Sequence, residues 1–168
     1  MSGTHADDFL RVIESHKGII YKVANSYCRD DENRKDLIQE IILQLWLSFN
    51  KYNDQFKLTT WIYRIALNVS ISFFRKEHRR TPISQPLPDG VLNLNENPAP
   101  EQNIAEIEKL YFFIRELKEI DRAIIILYLE ENSHQEMAEI LGLTQTNIAT
   151  RISRIKQQLK LKFSLYKP

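Results

Sequence analysis

The chain has a single cysteine, Cys28, and only four glycines among its 168 residues. One cysteine allows no internal disulfide, and the sequence contains no apolar run of about 18 residues that would predict a membrane-spanning helix. No secretory signal peptide is recognisable either. We therefore expect a protein of the reducing cytoplasm, in which Cys28 serves as a small buried hydrophobic side chain.

Strand patterns and catalytic motifs are also missing. Apolar residues recur at helical spacing without sustained apolar/polar alternation, so the chain is predicted to be all-α. The four histidines, His5, His16, His78 and His134, are scattered. The sequence shows no metal-ligand spacing, Gly-rich phosphate loop or nucleophile elbow. These absences predict a binding protein rather than an enzyme, with no metal, cofactor or small-molecule substrate.

Proline is concentrated in one segment, which predicts two domains. Five of the six prolines lie between Thr81 and Asn103, a composition typical of a linker. It separates a helical domain over 1–80 from a second one over 104–168. The apolar spacing predicts helices near Ala6 to Ser15, Gly18 to Cys28, Asp31 to Asn50, Thr60 to Arg79, Ile104 to Lys118, Glu119 to Glu131, Ser133 to Leu141 and Thr144 to Phe163.

Acidic residues are absent after Glu139, although the net charge of the whole chain is only +1. The basic residues beyond that point make the C-terminal segment a candidate for nucleic-acid binding. They are Arg151, Arg154, Lys156, Lys160, Lys162 and Lys167.

A helix-turn-helix pattern immediately precedes and includes this basic segment. Ser133 and Glu136 form a capping box at a helix start. Ala138 is small enough for a close helix crossing, and Gly142 permits a left-handed turn before Thr144 caps the next helix.

The second helix of that pattern has one apolar and one polar face. Ile148, Ile152, Ile155 and Leu159 form the predicted buried stripe. The polar face suits a DNA major groove, where arginine can pair with guanine, asparagine with adenine, and threonine with a thymine methyl group. An amphipathic helix with a merely solvated basic face is the alternative. The candidate DNA contacts are Asn147, Thr150, Arg151, Ser153, Arg154 and Lys156.

The first half carries two polar strips on predicted helices. Asp36, Gln39 and Glu40 share one exposed strip, which would otherwise serve only solubility and the helix dipole. A second strip suits an unpaired DNA strand, because aromatic rings can stack on bases while cations bind phosphates. It consists of Trp61, Arg64, Asn68, Ser72, Arg75 and Arg79. Trp61 could equally be a core residue. The preceding loop, 50–57, adds Asn53 and Lys57 as candidates for base recognition.

Both halves together resemble the extracytoplasmic-function (ECF) sigma factors of bacterial RNA polymerase. The resemblance rests on Asp36-Leu37-Ile38-Gln39-Glu40, on Thr60-Trp61-Ile62-Tyr63-Arg64-Ile65-Ala66-Leu67-Asn68 and on the helix-turn-helix. Asn147 and Ala149 depart from the family pattern, in which Thr or Ser and a basic residue are frequent.

The resemblance implies a role for each surface. Asp36, Gln39 and Glu40 would bind the clamp helices of core RNA polymerase. The strip from Trp61 would recognise and melt the minus-ten element, and the helix-turn-helix would read the minus-thirty-five element. An anti-sigma factor becomes a candidate partner. The alternative is a stand-alone helix-turn-helix regulator of duplex operators, although no self-complementary dimer surface is recognisable.

Overall fold

The computed structural model describes residues 4–80 and 101–166, with side chains except at 78–80 and 101–104. All regular structure in these ranges is helical, which confirms the all-α prediction. The chain divides between Arg80 and Thr81 into two compact units. The described α-helices are α1 (His5–Tyr27), α2 (Asp31–Ser48), α3 (Leu58–Arg80), α4 (Glu101–Arg115), α5 (Glu119–Leu129), α6 (His134–Leu141) and α7 (Gln145–Leu165), with a 3₁₀ turn at Phe49–Lys51.

The proposed linker, 81–103, lies mostly outside the described residues. Its last three positions belong to α4, which begins at Glu101 rather than at Ile104. None of the described helices is both long and apolar enough to cross a membrane.

The first unit is a three-helix bundle in which α1, α2 and α3 each pack against the other two. Their apolar stripes meet in a core that excludes water, and this burial is the main stabilising contribution. The fully buried members are Ile20, Val23, Ala24, Leu37, Ile41, Leu45, Ile62, Ala66 and Leu67.

Helix α1 is continuous at Gly18, where the sequence predicted a break between two separate helices. The structure has one continuous helix from His5 to Tyr27. A glycine inside a helix costs about 1 kcal/mol relative to alanine, but burial of Phe9 and Ile20 on either side of it offsets this cost. The His16 ring nitrogen Nδ1 lies 2.9 Å from the Val12 carbonyl oxygen. This contact stabilises the helical turn that precedes Gly18.

Ser70 is a fully buried polar residue on α3 whose hydroxyl has no hydrogen-bond partner in the described part of the chain. Burying an unpaired hydroxyl costs about 1–3 kcal/mol. We expect Ser70→Ala to raise the free energy of unfolding by about 1 kcal/mol or more, as measured by chemical denaturation. Ser72→Ala, at an exposed position of the same helix, reports the change in helix propensity alone. Equal effects of the two substitutions would contradict this prediction.

The second unit packs α5 and α6 on α7, with α4 contacting both α5 and α7. Its helix-turn-helix has the predicted local geometry. The Ser133 hydroxyl accepts a hydrogen bond from the Glu136 amide at 3.1 Å. Gly142 adopts a left-handed φ of 69°, and its amide donates to the Ala138 carbonyl at 2.8 Å. The Thr144 hydroxyl then accepts from the Asn147 amide at 3.0 Å and begins α7.

Arg122 is a buried cation that the sequence analysis missed, with only 1% of its surface exposed. Its guanidinium Nη2 donates to the carbonyls of Arg115 and Leu117, the latter at 3.0 Å. These carbonyls lie where α4 ends, and the terminal carbonyls of a helix lack partners within it. Arg122 therefore fastens the end of α4 to α5.

Candidate nucleic-acid and protein interfaces

The acidic strip lies on the exposed face of α2. Asp36, Gln39 and Glu40 are all exposed, while their neighbours Leu37 and Ile41 are fully buried. The Gln44 amide donates to Glu40 Oε1 at 3.1 Å, which steadies that carboxylate without covering it. The predicted strip is therefore accessible to another molecule.

Two leucines that the sequence analysis missed continue this strip toward the end of α2. Leu43 and Leu47 are 46% and 59% exposed, and their spacing from Asp36 and Glu40 places them on the same helical face. The spacing alone was a usable signal, although it does not tell exposed leucines from buried ones. We call Asp36, Gln39, Glu40, Leu43 and Leu47 the α2 ridge.

The polar strip on α3 is accessible along most of its length. Asn68, Ser72 and Arg75 are exposed, whereas Trp61 and Arg64 are half-buried. The Arg79 side chain lies outside the described residues.

Trp61 is both a packing residue and an accessible ring. Its ring centroid lies 5.3 Å from that of Tyr52 and 6.2 Å from that of Phe49. Phe56, another residue that the sequence analysis missed, places its ring 4.7 Å from the guanidinium carbon of Arg64. Rings and a cation therefore surround the start of α3, an arrangement that suits base stacking next to a phosphate.

The loop before α3 has a defined conformation. Asp54 adopts a left-handed φ of 61°, and the Asn53 side-chain oxygen accepts from the Gln55 amide at 3.3 Å. The Tyr52 hydroxyl donates to the Phe56 carbonyl at 2.9 Å. Burial, together with the negative charge of Asp54, raises the pKa of Tyr52. The side chains of Asn53 and Lys57 are exposed.

The α7 helix buries the predicted stripe of Ile148, Ile152, Ile155 and Leu159. An open groove of about 1020 Å³ flanks this stripe and is bounded by α7 and by the residues that connect α4 to α5. Asn147, Thr150, Arg151 and Arg154 line it. Of the predicted DNA contacts, Asn147, Thr150, Ser153, Arg154 and Lys156 are exposed and Arg151 is half-buried.

Several side chains on this helix have partners, and most of these partners lie far from them in the sequence. Arg151 Nη1 donates to Asp121 Oδ1 at 2.9 Å, and Arg151 Nε donates to Asn147 Oδ1 at 2.7 Å. Lys162 forms an ion pair with Glu116 at 2.6 Å. The Lys156 ammonium lies 4.3 Å from the centroid of the Tyr128 ring. Three cations of α7, those of Arg151, Lys156 and Lys162, are therefore engaged by other side chains of the second unit.

Within the residues that the structure describes, no three histidine, cysteine, aspartate or glutamate side chains come together in an arrangement that could hold a metal ion.

Comparison with known proteins identifies both units. The model of the sigma-70 region 2 family matches residues 12–80, and that of sigma-70 region 4 matches residues 107–159. The ECF RNA polymerase sigma factor SigM of Bacillus subtilis is 26% identical over 151 residues, which cover 89% of this chain and 91% of SigM. The sigma factor SigZ of the same species is 30% identical over 128 residues, covering 74% of this chain and 69% of SigZ.

The fold has solved counterparts. The sigma factor RpoE of Bartonella quintana, solved in complex with the anti-sigma factor NepR, superposes with a TM-score of 0.70 at 18% sequence identity. This match covers 96% of the present chain and 98% of the RpoE chain.

The two family models and the relatives define a bacterial transcription initiation factor with sigma-70 regions 2 and 4. The chain belongs to the ECF group of sigma factors. Members of this family are RNA polymerase subunits that recognise promoters, and they are not enzymes. The stand-alone regulator is disfavoured because the first unit matches region 2 rather than a sensing or dimerisation domain.

Proposed function

We propose that the two units divide promoter recognition between them. The first unit, residues 1–80, binds core RNA polymerase through the α2 ridge and captures the melted minus-ten strand along α3. The second unit, beginning after the linker, reads the minus-thirty-five element with α7. The observation that carries this proposal is the match of regions 2 and 4 to two units, each of which presents an accessible polar face.

The α2 ridge suits a protein partner with a basic surface next to an apolar one. Its carboxylates attract cations, and its exposed leucines supply apolar area that binding would remove from water. Leu43 and Leu47 are large side chains left without cover, and such exposed apolar surface is typical of interaction sites when it is contiguous.

The start of α3 and the loop before it suit single-stranded DNA. Stacking of a base on an aromatic ring contributes roughly 1–3 kcal/mol, and Trp61 and Phe56 both retain exposed surface. Asn53 and Lys57 lie in the loop that leads into this helix, where they can contact a captured base or its phosphate. Asn68, Ser72, Arg75 and Arg79 would continue the path of the strand along α3.

The α7 helix suits duplex DNA because its face of polar and basic residues is backed by a rigid apolar stripe. Arg154 is exposed, so it is available to phosphate. Thr150 and Ser153 are short hydroxyl side chains that permit close approach of the helix to the groove.

Transcription with purified components tests the proposed function directly. The chain combined with core polymerase should start transcripts from a subset of a promoter library, while core polymerase alone should not. Absence of specific transcripts from every template would refute the proposal. We further propose that the chain acts in the cytoplasm and performs no chemistry itself. Because RpoE was solved with an anti-sigma factor, a protein of that class is a proposed partner here.

Arg154 provides a test of the duplex contact. We expect Arg154→Ala to weaken binding of the holoenzyme to promoter DNA nearly uniformly across sequences. The slope of log K against log salt concentration should become shallower by about 1, since one phosphate contact is lost. Filter binding over a salt series measures both quantities. Arg11→Ala removes an exposed arginine of α1 and should leave the slope unchanged. An unaltered slope in Arg154→Ala would show that Arg154 does not contact phosphate.

A further inference from the structure

The beginning of α7 contains a chain of three side chains that runs from α5 to the proposed DNA surface. Asp121 on α5 accepts from Arg151 Nη1 at 2.9 Å, and Arg151 Nε donates to Asn147 Oδ1 at 2.7 Å. Asp121 and Arg151 are both partly shielded from solvent, with side-chain exposures of 21% and 37%. The Asn147 side chain at the far end is exposed.

The orientation of the Asn147 amide follows from hydrogen-bond chemistry. Arginine has five N–H donors and no acceptor, so the Asn147 atom that faces Arg151 Nε must be the carbonyl oxygen. The Asn147 NH₂ group is therefore the end left for DNA. Nε and Nη1 of Arg151 already donate to Asn147 and Asp121. The N–H groups that remain on Arg151 are also donors.

A fixed set of donors selects among bases. Guanine presents two acceptors, N7 and O6, in the major groove, whereas cytosine presents its N4 amino donor. An unconstrained asparagine can pair with adenine by using its oxygen and its nitrogen together. Here one of the two lone pairs of that oxygen already accepts from Arg151, so a single acceptor site remains beside the donors of Asn147 and Arg151. With donors in excess, guanine is favoured over the adenine pairing expected from the sequence.

We propose that Asp121 is a positioning residue for promoter specificity: by holding Arg151, it locks Asn147 so that this end of α7 presents donors and selects guanine in the upstream promoter element. The inference rests on the proposed function, since it assigns the base class that α7 reads. Asp121 itself does not contact DNA. Its role differs from that of Arg154, which contributes affinity without selecting a base.

The test is a base-preference profile of the holoenzyme, formed by the full chain with core polymerase. Affinities are measured for promoters that carry every single-base change in the upstream element. We expect the unaltered chain to prefer guanine by roughly 5- to 150-fold at one position or at two adjacent positions. In Asp121→Ala this preference should fall below about threefold, because Arg151 and Asn147 then adopt several arrangements. Discrimination at positions read by other residues should persist.

Glu116→Ala is the matched control, since it removes the ion pair to Lys162 in the same unit and changes the net charge equally. It should retain the guanine preference. Asp121→Ala combined with Arg151→Ala should discriminate no worse than Arg151→Ala alone. If Asp121→Ala failed to fold, both its thermal transition temperature and its transcription from every promoter would fall. In that case the base-preference profile of Asn147→Asp tests the inference instead.

Asn147→Asp lies at an exposed position and keeps an oxygen for Arg151 Nε. It replaces the outward NH₂ group by an acceptor, so the preferred base should change from guanine to cytosine. An unchanged profile in folded Asp121→Ala, an unchanged profile in Asn147→Asp, or an adenine preference in the unaltered chain would each overturn the inference. Specific transcription by those same holoenzymes would show that the proposed function stands even then.

Discussion

Replacing Asp36 and Glu40 together by lysine is expected to abolish assembly with core RNA polymerase. Both carboxylates are exposed on the α2 ridge, and like charges placed against a basic partner surface cost several kcal/mol. We expect the dissociation constant to rise by about 100-fold or more. The bundle should remain folded, because neither side chain belongs to its core. Competition for core polymerase against a labelled copy of the chain measures the effect.

The control must change the charge equally at another surface. Asp8→Lys with Glu14→Lys does so at exposed positions of α1, and this pair should assemble with the polymerase normally. Leu47→Ser in the otherwise unaltered chain measures how much the apolar part of the α2 ridge contributes to assembly, separately from its acidic part. Normal assembly of the variant carrying lysine at 36 and 40 would show that the docking face lies elsewhere.

Arg122→Met is expected to lower the free energy of unfolding of the second unit by about 3–5 kcal/mol. The guanidinium donates to the Arg115 and Leu117 carbonyls while buried, and removing one partner of a buried polar contact leaves the others unsatisfied. Methionine retains most of the apolar volume, so the loss reports mainly the hydrogen bonds. Hydrogen exchange of the α4 and α5 amides, followed by mass spectrometry, measures the loss.

Lys118→Met is the control, because it removes an exposed cation from the same connection between α4 and α5. It should leave exchange in α4 and α5 nearly unchanged. Exchange in α1–α3 serves as an internal reference for both variants. If Arg122→Met protected α4 and α5 as well as the unaltered chain does, the buried contacts would contribute little to the stability of the unit.

Features that depend on neighbours in the sequence were predictable. The apolar stripe of α7 follows from residues spaced three or four apart, and the left-handed Gly142 follows from its place between two periodic segments. The exposed strip of Asp36, Gln39 and Glu40 was predictable for the same reason. The helix break before Gly18 was wrong because tertiary burial of Phe9 and Ile20 outweighs a local propensity of about 1 kcal/mol.

Features that depend on distant residues were not predictable from spacing. Asp121 and Arg151 are thirty residues apart, and no periodicity links a residue of α5 to one of α7. The burial of Arg122 has no signal in the sequence, because its partners are backbone carbonyls whose availability depends on where α4 ends. The two ring contacts of Trp61 require the Phe49–Lys51 turn, which is too short for a sequence pattern. The sequence therefore predicted which residues form the site, but it did not predict the contacts that orient their side chains.

The aromatic surroundings of Trp61 bear on how the molecule can be observed. The chain has two tryptophans, and both Trp61 and Trp46 belong to the first unit. Trp46 packs edge-on against Phe9 with the ring centroids 5.1 Å apart. Intrinsic tryptophan fluorescence therefore reports on the helical bundle of α1–α3. The helix-turn-helix contains no tryptophan and does not contribute to this signal. Quenching on addition of single-stranded DNA would follow capture at α3 in real time, undisturbed by events at α7.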